Sequence, residues 1–494
     1  MLLIDELRDA WAHEPGDHRT AIVIIALVGV VLRAMYLAQP MRYDESVTYM
    51  YFVRLDWADA LSTYTYPNNH LLHTALAKAA AALFGPSPVA LRLPAFLAGS
   101  VLPVATYVMV RLLYDGRAAL IASGLIATSG TLVMYSTNAR GYSIVVLAFT
   151  LLVIQSVRLM RGAAPREWIV LAAIGSLGLW TIPVMLYPLG AVVVWLVLNA
   201  LIDHRTAELR KLGIALVMTA IVTGAVYAPV ISREGVSAIT RNRFVAPMGW
   251  FEFLGDLPRT WSHALSSWSL GVPPLFSAFL LAAGILALLR HRTFARQSVG
   301  LPLAAFVWCS WLLVVNHRAP FPRAWLWLLP IVAALAACGM LAALARWPAS
   351  ASWAQARALT LAIALTIGIG TSVVLSRAVV RTTDTGTFQD AAAAAAHLSR
   401  DLRPGDRILA SIPSNAPLMY YLHRAGLDPS PLSLDERRAR RIIVVVDAAE
   451  GQRLDEVIAR SMARDTLLFS RPEIMARFPA SALVVFRRRD VPAS

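Results

Sequence analysis

Charge is what this 494-residue sequence has least of: 15% of its residues are Asp, Glu, Lys or Arg, against about 25% in a soluble domain. That shortage excludes an ordinary soluble chain. Cysteine is nearly absent. Cys309 and Cys338 both fall in apolar runs, where they read as small core residues, so no disulfide framework is expected. There is no G-x-G-x-x-G and no Walker A sequence, which removes the usual nucleotide cradles. A basic n-region is missing too: residues 1–19 carry Asp5, Glu6, Asp9, Glu14 and Asp17, and no A-x-A cleavage site follows. This start reads as a retained span with a cytoplasmic tail rather than a cleaved leader. Residues 117–380 place almost no ionisable group inside an apolar run, whereas transporters and proton pumps usually do.

What is present is apolar: 57% hydrophobic residues and a mean hydropathy of +0.59. A membrane span needs about 20 apolar residues. Runs near 20–38, 89–111, 117–135, 141–160, 166–182, 183–201, 211–232, 273–290, 300–316, 323–345 and 357–380 meet or approach that length. The expectation is a polytopic α-helical membrane protein with about eleven or more spans. The formal net charge is +15, almost all of it from Arg. Short basic connectors at 111–117, 158–166, 203–211, 290–296 and 346–357 fall on one side if residues 71–84 do not cross the membrane. Cytoplasmic loops carry the Arg/Lys excess, so these connectors are placed in the cytoplasm. Residues 39–88, 136–140, 233–272, 317–322 and the chain after about 381 then lie outside.

Two stretches of the first outer loop read as interfacial helices. Ser46 to Leu61 carries Arg54, Asp56, Trp57 and Asp59, and Leu71 to Phe84 is short and contains His73 and Lys78. The loop 233–272 is aromatic and basic; it reads either as an aromatic belt or as a mobile flap for an anionic headgroup. After Thr383 the pattern changes. Helices over Phe388–Leu402, Ala416–Arg424 and near Leu454–Met462 alternate with strands over Asp406–Ile412, Arg441–Val446 and Ala482–Arg487. That alternation predicts a small extracytoplasmic α/β domain over 384–494, behind a transmembrane domain over 1–383.

Polar residues collect at the expected outer ends of spans. Gln39-Pro40-Met41-Arg42-Tyr43-Asp44-Glu45 follows the first span directly. Carboxylates are costly in hydrocarbon. Asp44 and Glu45 are therefore either a solvated pair ending the span or a general base with its neighbour. Asn68, Asn69, His70 and His73 form a second group, and Arg140 and Tyr142 a third. Arg241, Arg243, Arg318 and Arg323 lie in later outer loops. One carboxylate and several guanidinium groups suit transfer from a lipid phosphate. The carboxylate takes the acceptor proton, and the cations neutralise a phosphate that leaves as a stable anion. Arg140 has a plainer reading as a snorkelling span-end residue, and Arg33 and Arg92 read as structural. His70 and His73, three apart, have the spacing for a divalent metal, but no third ligand is evident, so no metal and no other cofactor is assigned.

At these residues the chain resembles the GT-C glycosyltransferases, in particular the polyprenyl-phosphate-sugar group that includes protein O-mannosyltransferases and aminoarabinose transferases (families 39 and 83). Arg42-Tyr43-Asp44-Glu45 matches the family's Asp-Glu motif after the first span. Pro67-Asn68-Asn69-His70-Leu71 lies where the family has a His/Lys-Pro-Pro-Leu stretch. Leu91-Arg92-Leu93-Pro94 looks like its R-L-P segment, and Ser136-Thr137-Asn138-Ala139-Arg140-Gly141-Tyr142 like its S-x-x-A-R-x-Y segment. The resemblance covers about residues 30–160. It implies a GT-C fold and inverting transfer of a sugar from a polyprenyl phosphate to an acceptor hydroxyl of a glycan, lipid or protein, at the outer face of the plasma membrane. Asp44 and Glu45 would be catalytic. Arg140, His70, His73, Arg241, Arg243, Arg318 and Arg323 would bind the donor phosphate, and Arg42, Tyr43, Asn68, Asn69 and Tyr142 the substrates. The chain departs from the family in having Asn68-Asn69 for Pro-Pro and in lacking a phosphate-binding lysine, which leaves donor sugar and acceptor class open. Two other readings stand beside it: a transporter or flippase of lipid-linked sugars, and a non-catalytic membrane protein of envelope assembly. No nucleic-acid partner is expected.

Overall fold

The computed structural model describes residues 14–241, 244–347, 350–427, 432, 439–461 and 469–489. Each of the eleven apolar runs falls on one helix or on two consecutive helical segments. Among the described residues six helices are long and apolar enough to cross a membrane: Pro88–Leu113, Tyr142–Met160, Pro183–Ile202, Ala207–Glu234, Pro322–Leu344 and Ser352–Ser376. A bent pair, Gly116–Thr128 with Gly130–Ser136, makes a seventh. Glu167–Thr181, Pro274–Leu289 and Leu301–Asn316 are apolar but shorter. The first described helix, Gly16–Ala34, carries Asp17, Arg19 and Arg33 among its 19 residues. The chain is therefore a multi-pass membrane protein, and among the described residues six or seven spans, not eleven, pass by length and composition.

The chain divides into two compact units. The first comprises residues up to Leu37, Ser62–His73 and Arg92–Arg381; the second comprises Ala38–Leu61, Thr74–Leu91 and Thr382–Ser494. The C-terminal residues thus share a unit with two pieces of the first loop.

Within the first unit, local chemistry sets the breaks. Ile182 precedes Pro183 and adopts φ −152°, ψ 135°, as the pre-proline clash demands, so helices 167–181 and 186–202 separate there. The bent span turns by 57° at Ser129. Its backbone there is extended at ψ 113°, and its Oγ accepts from the Leu132 N–H at 3.4 Å as an N-cap. The break would leave carbonyls unpaired in the bundle, where no water replaces them. Arg33 answers it: Nη1 donates to Ala127 O at 2.9 Å, Nη2 to Ile126 O at 3.4 Å, and Nε to Ser136 Oγ at 3.2 Å. Arg92 Nη1 donates to Leu37 O at 2.8 Å. Both side chains are fully buried and structural in their contacts.

In the second unit the expected helix over Ser46–Leu61 is three pieces: an α-helix Tyr43–Thr48, a π-helical turn Tyr49–Val53 and a helix Trp57–Ser62. Arg54 Nε bonds Met50 O at 2.6 Å, and Lys78 Nζ donates to the carbonyls of Val53 and Leu55, so both cations cap this irregular turn. The sheet has four strands, β1 (Asp406–Ala410), β2 (Arg441–Asp447), β3 (Glu473–Arg477) and β4 (Ser481–Arg487), in the order β1-β2-β4-β3. β1 and β2 are parallel, and the other pairs are antiparallel. Ile443 and Val445 pack with helices Ala391–Asp401 and Asn415–Arg424, while Ile442 and Val444 pack with Val457 on the other face. With both faces covered, β2 is a continuous apolar run. β3 has no such run; its residues are mostly exposed, which is why the sequence pattern shows three strands only.

Candidate functional site

The candidate residues fall into two centres, one in each unit. The cation centre lies in the first unit. His70 ends the extended loop ahead of helix Leu71–Phe84, and Arg140 sits in the turn between helices Gly130–Ser136 and Tyr142–Met160. Arg140 is 1% exposed. Its Nη1 donates to Asn68 O at 3.1 Å, and its Nη2 lies 3.0 Å from His70 Nε2. The guanidinium is therefore held inside the protein rather than snorkelling outward. The Gly141 N–H donates to His70 Nδ1 at 2.8 Å. A Cβ at Gly141 would come within 2.4 Å of Thr181 Cγ2 and 3.2 Å of His70 Nδ1, so only glycine lets the turn approach the imidazole. Asn69 Nδ2 ties the loop to Thr63 O at 2.7 Å. Tyr142 packs edge-on against His70 at 5.1 Å and lies 5.9 Å below the Arg140 guanidinium.

Burial, then Arg140, His73 and Arg323, hold the His70 pKa well below the usual imidazole value. Burial and Arg140 do the same for His73. Both rings are neutral at physiological pH. Neither ring nitrogen of His73 has a hydrogen-bond partner among the described residues. Tyr64, which pattern reasoning passed over as one of several loop tyrosines, is also buried beside Arg140.

The later loops are less concentrated. Arg323 contributes positive potential at His70 and stacks at 4.5 Å on Phe321. Arg318 Nη1 reaches Thr240 O at 3.4 Å, and Arg241 is exposed. Arg243 lies outside the described residues. The loop 233–272 is largely a helix, Trp250–Trp268. His317, at φ 46°, stacks on Trp250 at 4.1 Å beside it.

The carboxylate centre lies in the second unit. Asp44 and Glu45 occupy the first turn of helix Tyr43–Thr48. Glu45 is fully buried and its Oε1 accepts from the Arg42 N–H at 2.7 Å, half of a capping box. Arg42 Nη1 donates to Thr382 O at 2.8 Å and Asp384 O at 3.0 Å. Asp44 is 8% exposed; its amide is held by Thr385 O at 3.2 Å. Glu45 and Arg42 are thus engaged in building the turn that presents Asp44. Among the described residues no three His, Cys, Asp or Glu groups gather as a metal site.

Residues 68–228 match the model of the dolichyl-phosphate-mannose-protein mannosyltransferase family. No curated protein matches the chain in sequence. Among solved structures, apo ArnT from Cupriavidus metallidurans is similar with a TM-score of 0.57 and 13% identity, over 94% of this chain and 97% of ArnT. ArnT bound to undecaprenyl phosphate gives a TM-score of 0.53 and 14% identity over the same shares. The oligosaccharyltransferase AglB from Archaeoglobus fulgidus, in complex with an inhibitory peptide and a dolichol-phosphate, gives 0.53 and 11%, over 96% of this chain and 75% of AglB. The likeness runs through nearly the whole chain and shows the fold that these structures share, and it is joined by the family match across the segment that carries His70 and Arg140.

Proposed function

We propose that the protein transfers a sugar from a polyprenyl-phosphate donor to an acceptor hydroxyl, with inversion, at the outer face of the plasma membrane. The observation that carries this reading is the buried cation centre. A neutral imidazole has one acceptor nitrogen. With Nδ1 accepting from Gly141, the hydrogen of His70 sits on Nε2, where it faces a guanidinium N–H at 3.0 Å. A phosphate oxygen is an acceptor that this imidazole and guanidinium can both bond. Arg323 adds charge to the same place. The names of the ArnT and AglB complexes, with undecaprenyl phosphate and dolichol-phosphate, support a donor of this class.

In the proposed step the Asp44 carboxylate takes the proton of the acceptor hydroxyl. The acceptor oxygen bonds the anomeric carbon as the carbon–oxygen bond to phosphate breaks. The electron pair leaves on the polyprenyl phosphate, whose charge Arg140 and its neighbours stabilise. Glu45 holds the turn, and Asn68, Asn69 and Tyr142 shape the donor side. The deciding experiment is lipid profiling of a deletion strain. The expected result is an accumulated polyprenyl-phosphate sugar together with a glycan, lipid or protein lacking that sugar. Normal lipid and glycan profiles would refute the assignment.

A further inference from the structure

The second unit contains a device that the reaction chemistry does not itself require. Residues 382–387 run as a strap against the turn that carries Asp44. The first amides of a helix have no intrahelical partner, and the strap supplies partners: Gly386 O accepts from the Tyr43 N–H at 3.1 Å and Thr385 O from the Asp44 N–H at 3.2 Å. Arg42 Nη1 grips the carbonyls of Thr382 and Asp384. To offer two consecutive carbonyls, the strap takes two consecutive left-handed residues, Thr385 and Gly386, both at φ 69°. A β-branched residue rarely adopts that conformation and keeps it only where its surroundings impose it. Gly386 is confined as well, since a Cβ there would lie 2.6 Å from Pro413 Cβ and 2.7 Å from Tyr43 Cβ.

Glu450 clasps the residue that follows this left-handed pair. The Thr387 N–H donates to its Oε1 at 3.0 Å, and the Thr387 hydroxyl donates to the same oxygen. Glu450 ends the short turn Ala448–Glu450 that leaves β2. That turn is pinned to the strand end, where Asp447 accepts from the Ala449 N–H at 3.1 Å and from Ser414 Oγ at 3.4 Å. A continuous series of fixed contacts thus runs from the central strand of the sheet to the backbone of Asp44.

We propose that Glu450 is a positioning residue: its clasp on Thr387 holds the strap in the conformation that orients Asp44. The inference rests on Asp44 as the base. Its test uses the full chain in nanodiscs and in the deletion strain. Hydrogen exchange is read at the Tyr43 and Asp44 amides, free undecaprenyl phosphate serves as the binding probe, and turnover is read as clearance of the lipid-linked sugar that the strain accumulates. In Glu450→Ala, exchange is expected to rise at least about tenfold and clearance to fall at least about tenfold, since small misplacements of a catalytic group cost that much. Affinity for undecaprenyl phosphate stays unchanged. Glu450→Gln keeps the acceptor oxygen and restores both readouts. If Glu450→Ala does not accumulate, Thr387→Val is read in the same way, with Thr387→Ser as its rescue. Unchanged exchange, faster exchange with full clearance, or failure of the conservative variant to rescue overturns the proposal. Failure of the base reading looks different: Asp44→Asn would then clear the lipid normally, whereas a failed clasp leaves Asp44→Asn inactive and Glu450→Ala active.

Discussion

Asp44 and Glu45 are adjacent in sequence and unlike in surroundings. Glu45 spends an oxygen on the Arg42 amide, and Gln at that position keeps the bond. Asp44→Asn is therefore expected to lower turnover at least about 100-fold, the low end of general-base contributions, while Glu45→Gln costs little; lipid clearance by each variant in the deletion strain measures this, and equal mild losses would show that Asp44 is not the base. Arg140→Ala is expected to weaken undecaprenyl phosphate binding about ten- to a hundredfold, the worth of a charge-assisted contact of about 1.5–3 kcal/mol. Arg140→Lys should recover only part of this, because an ammonium lacks the planar fork that reaches Asn68 and His70 together. Unchanged binding in Arg140→Ala would move the phosphate to Arg323 or the more distant loops. His70 and His73 set an acid limit on stability. Unfolded, each takes a proton near pH 6.5; folded, each does so only well below that. Between those limits the unfolded chain binds more protons, so stability is intact above about 6.5 and is lost as pH falls towards the folded values. Melting temperature followed from pH 7 to 5 should drop, and His73→Asn should flatten the slope; an equal slope in the variant would show that His73 does not contribute.

At the scale of the element, the broken span 116–136 carries the clearest structural prediction. Arg33 satisfies carbonyls freed at the bend, and a buried polar group left unpaired costs about 1–3 kcal/mol. Arg33→Met should lower the melting temperature markedly while the surviving protein binds undecaprenyl phosphate as before. A loss of binding at unchanged stability would instead draw Arg33 into the donor site. The apolar runs were legible here because hydropathy alone sets span length. The split at Ile182 was legible because of Pro183. The bend at Ser129 was not: a serine between two apolar stretches carries no signal until an arginine 96 positions earlier in the chain is seen to fill the break. The π-turn at 49–53 was equally silent, since Tyr49-Met50-Tyr51-Phe52-Val53 is compatible with an ordinary helix and the turn depends on Arg54 and Lys78 closing it.

For the whole molecule, the charge asymmetry of the basic connectors leads to the expectation that residues 111–117 and 203–211 face the cytoplasm and the C-terminal residues lie outside. Cysteines introduced at Ser399 and Asp203 should respectively be labelled and protected when an impermeant reagent meets intact cells. Labelling at Asp203 with protection at Ser399 would reverse the orientation and remove the reaction from the outer face. The division of the chain into units shows a further level of organisation: residues 38–61 and 74–91 go with the C-terminal residues, although more than 290 positions separate Leu91 from Thr382.

Composition determined the class of the molecule, since 15% charge and eleven apolar runs leave few alternatives to a multi-pass bundle. The order of the short motifs singled out Asp44, His70 and Arg140 because these residue types are costly near hydrocarbon and therefore conspicuous. What tertiary structure alone decided is which groups each charge meets. Arg42, Glu45, Lys78 and Arg33 bond backbone groups at turns and helix breaks. Hydrogen bonds to backbone atoms depend on where the chain passes, not on which residue it contributes. Thr385, Thr387 and Glu450 carry no motif, and only the path of the strap shows that they bear on Asp44.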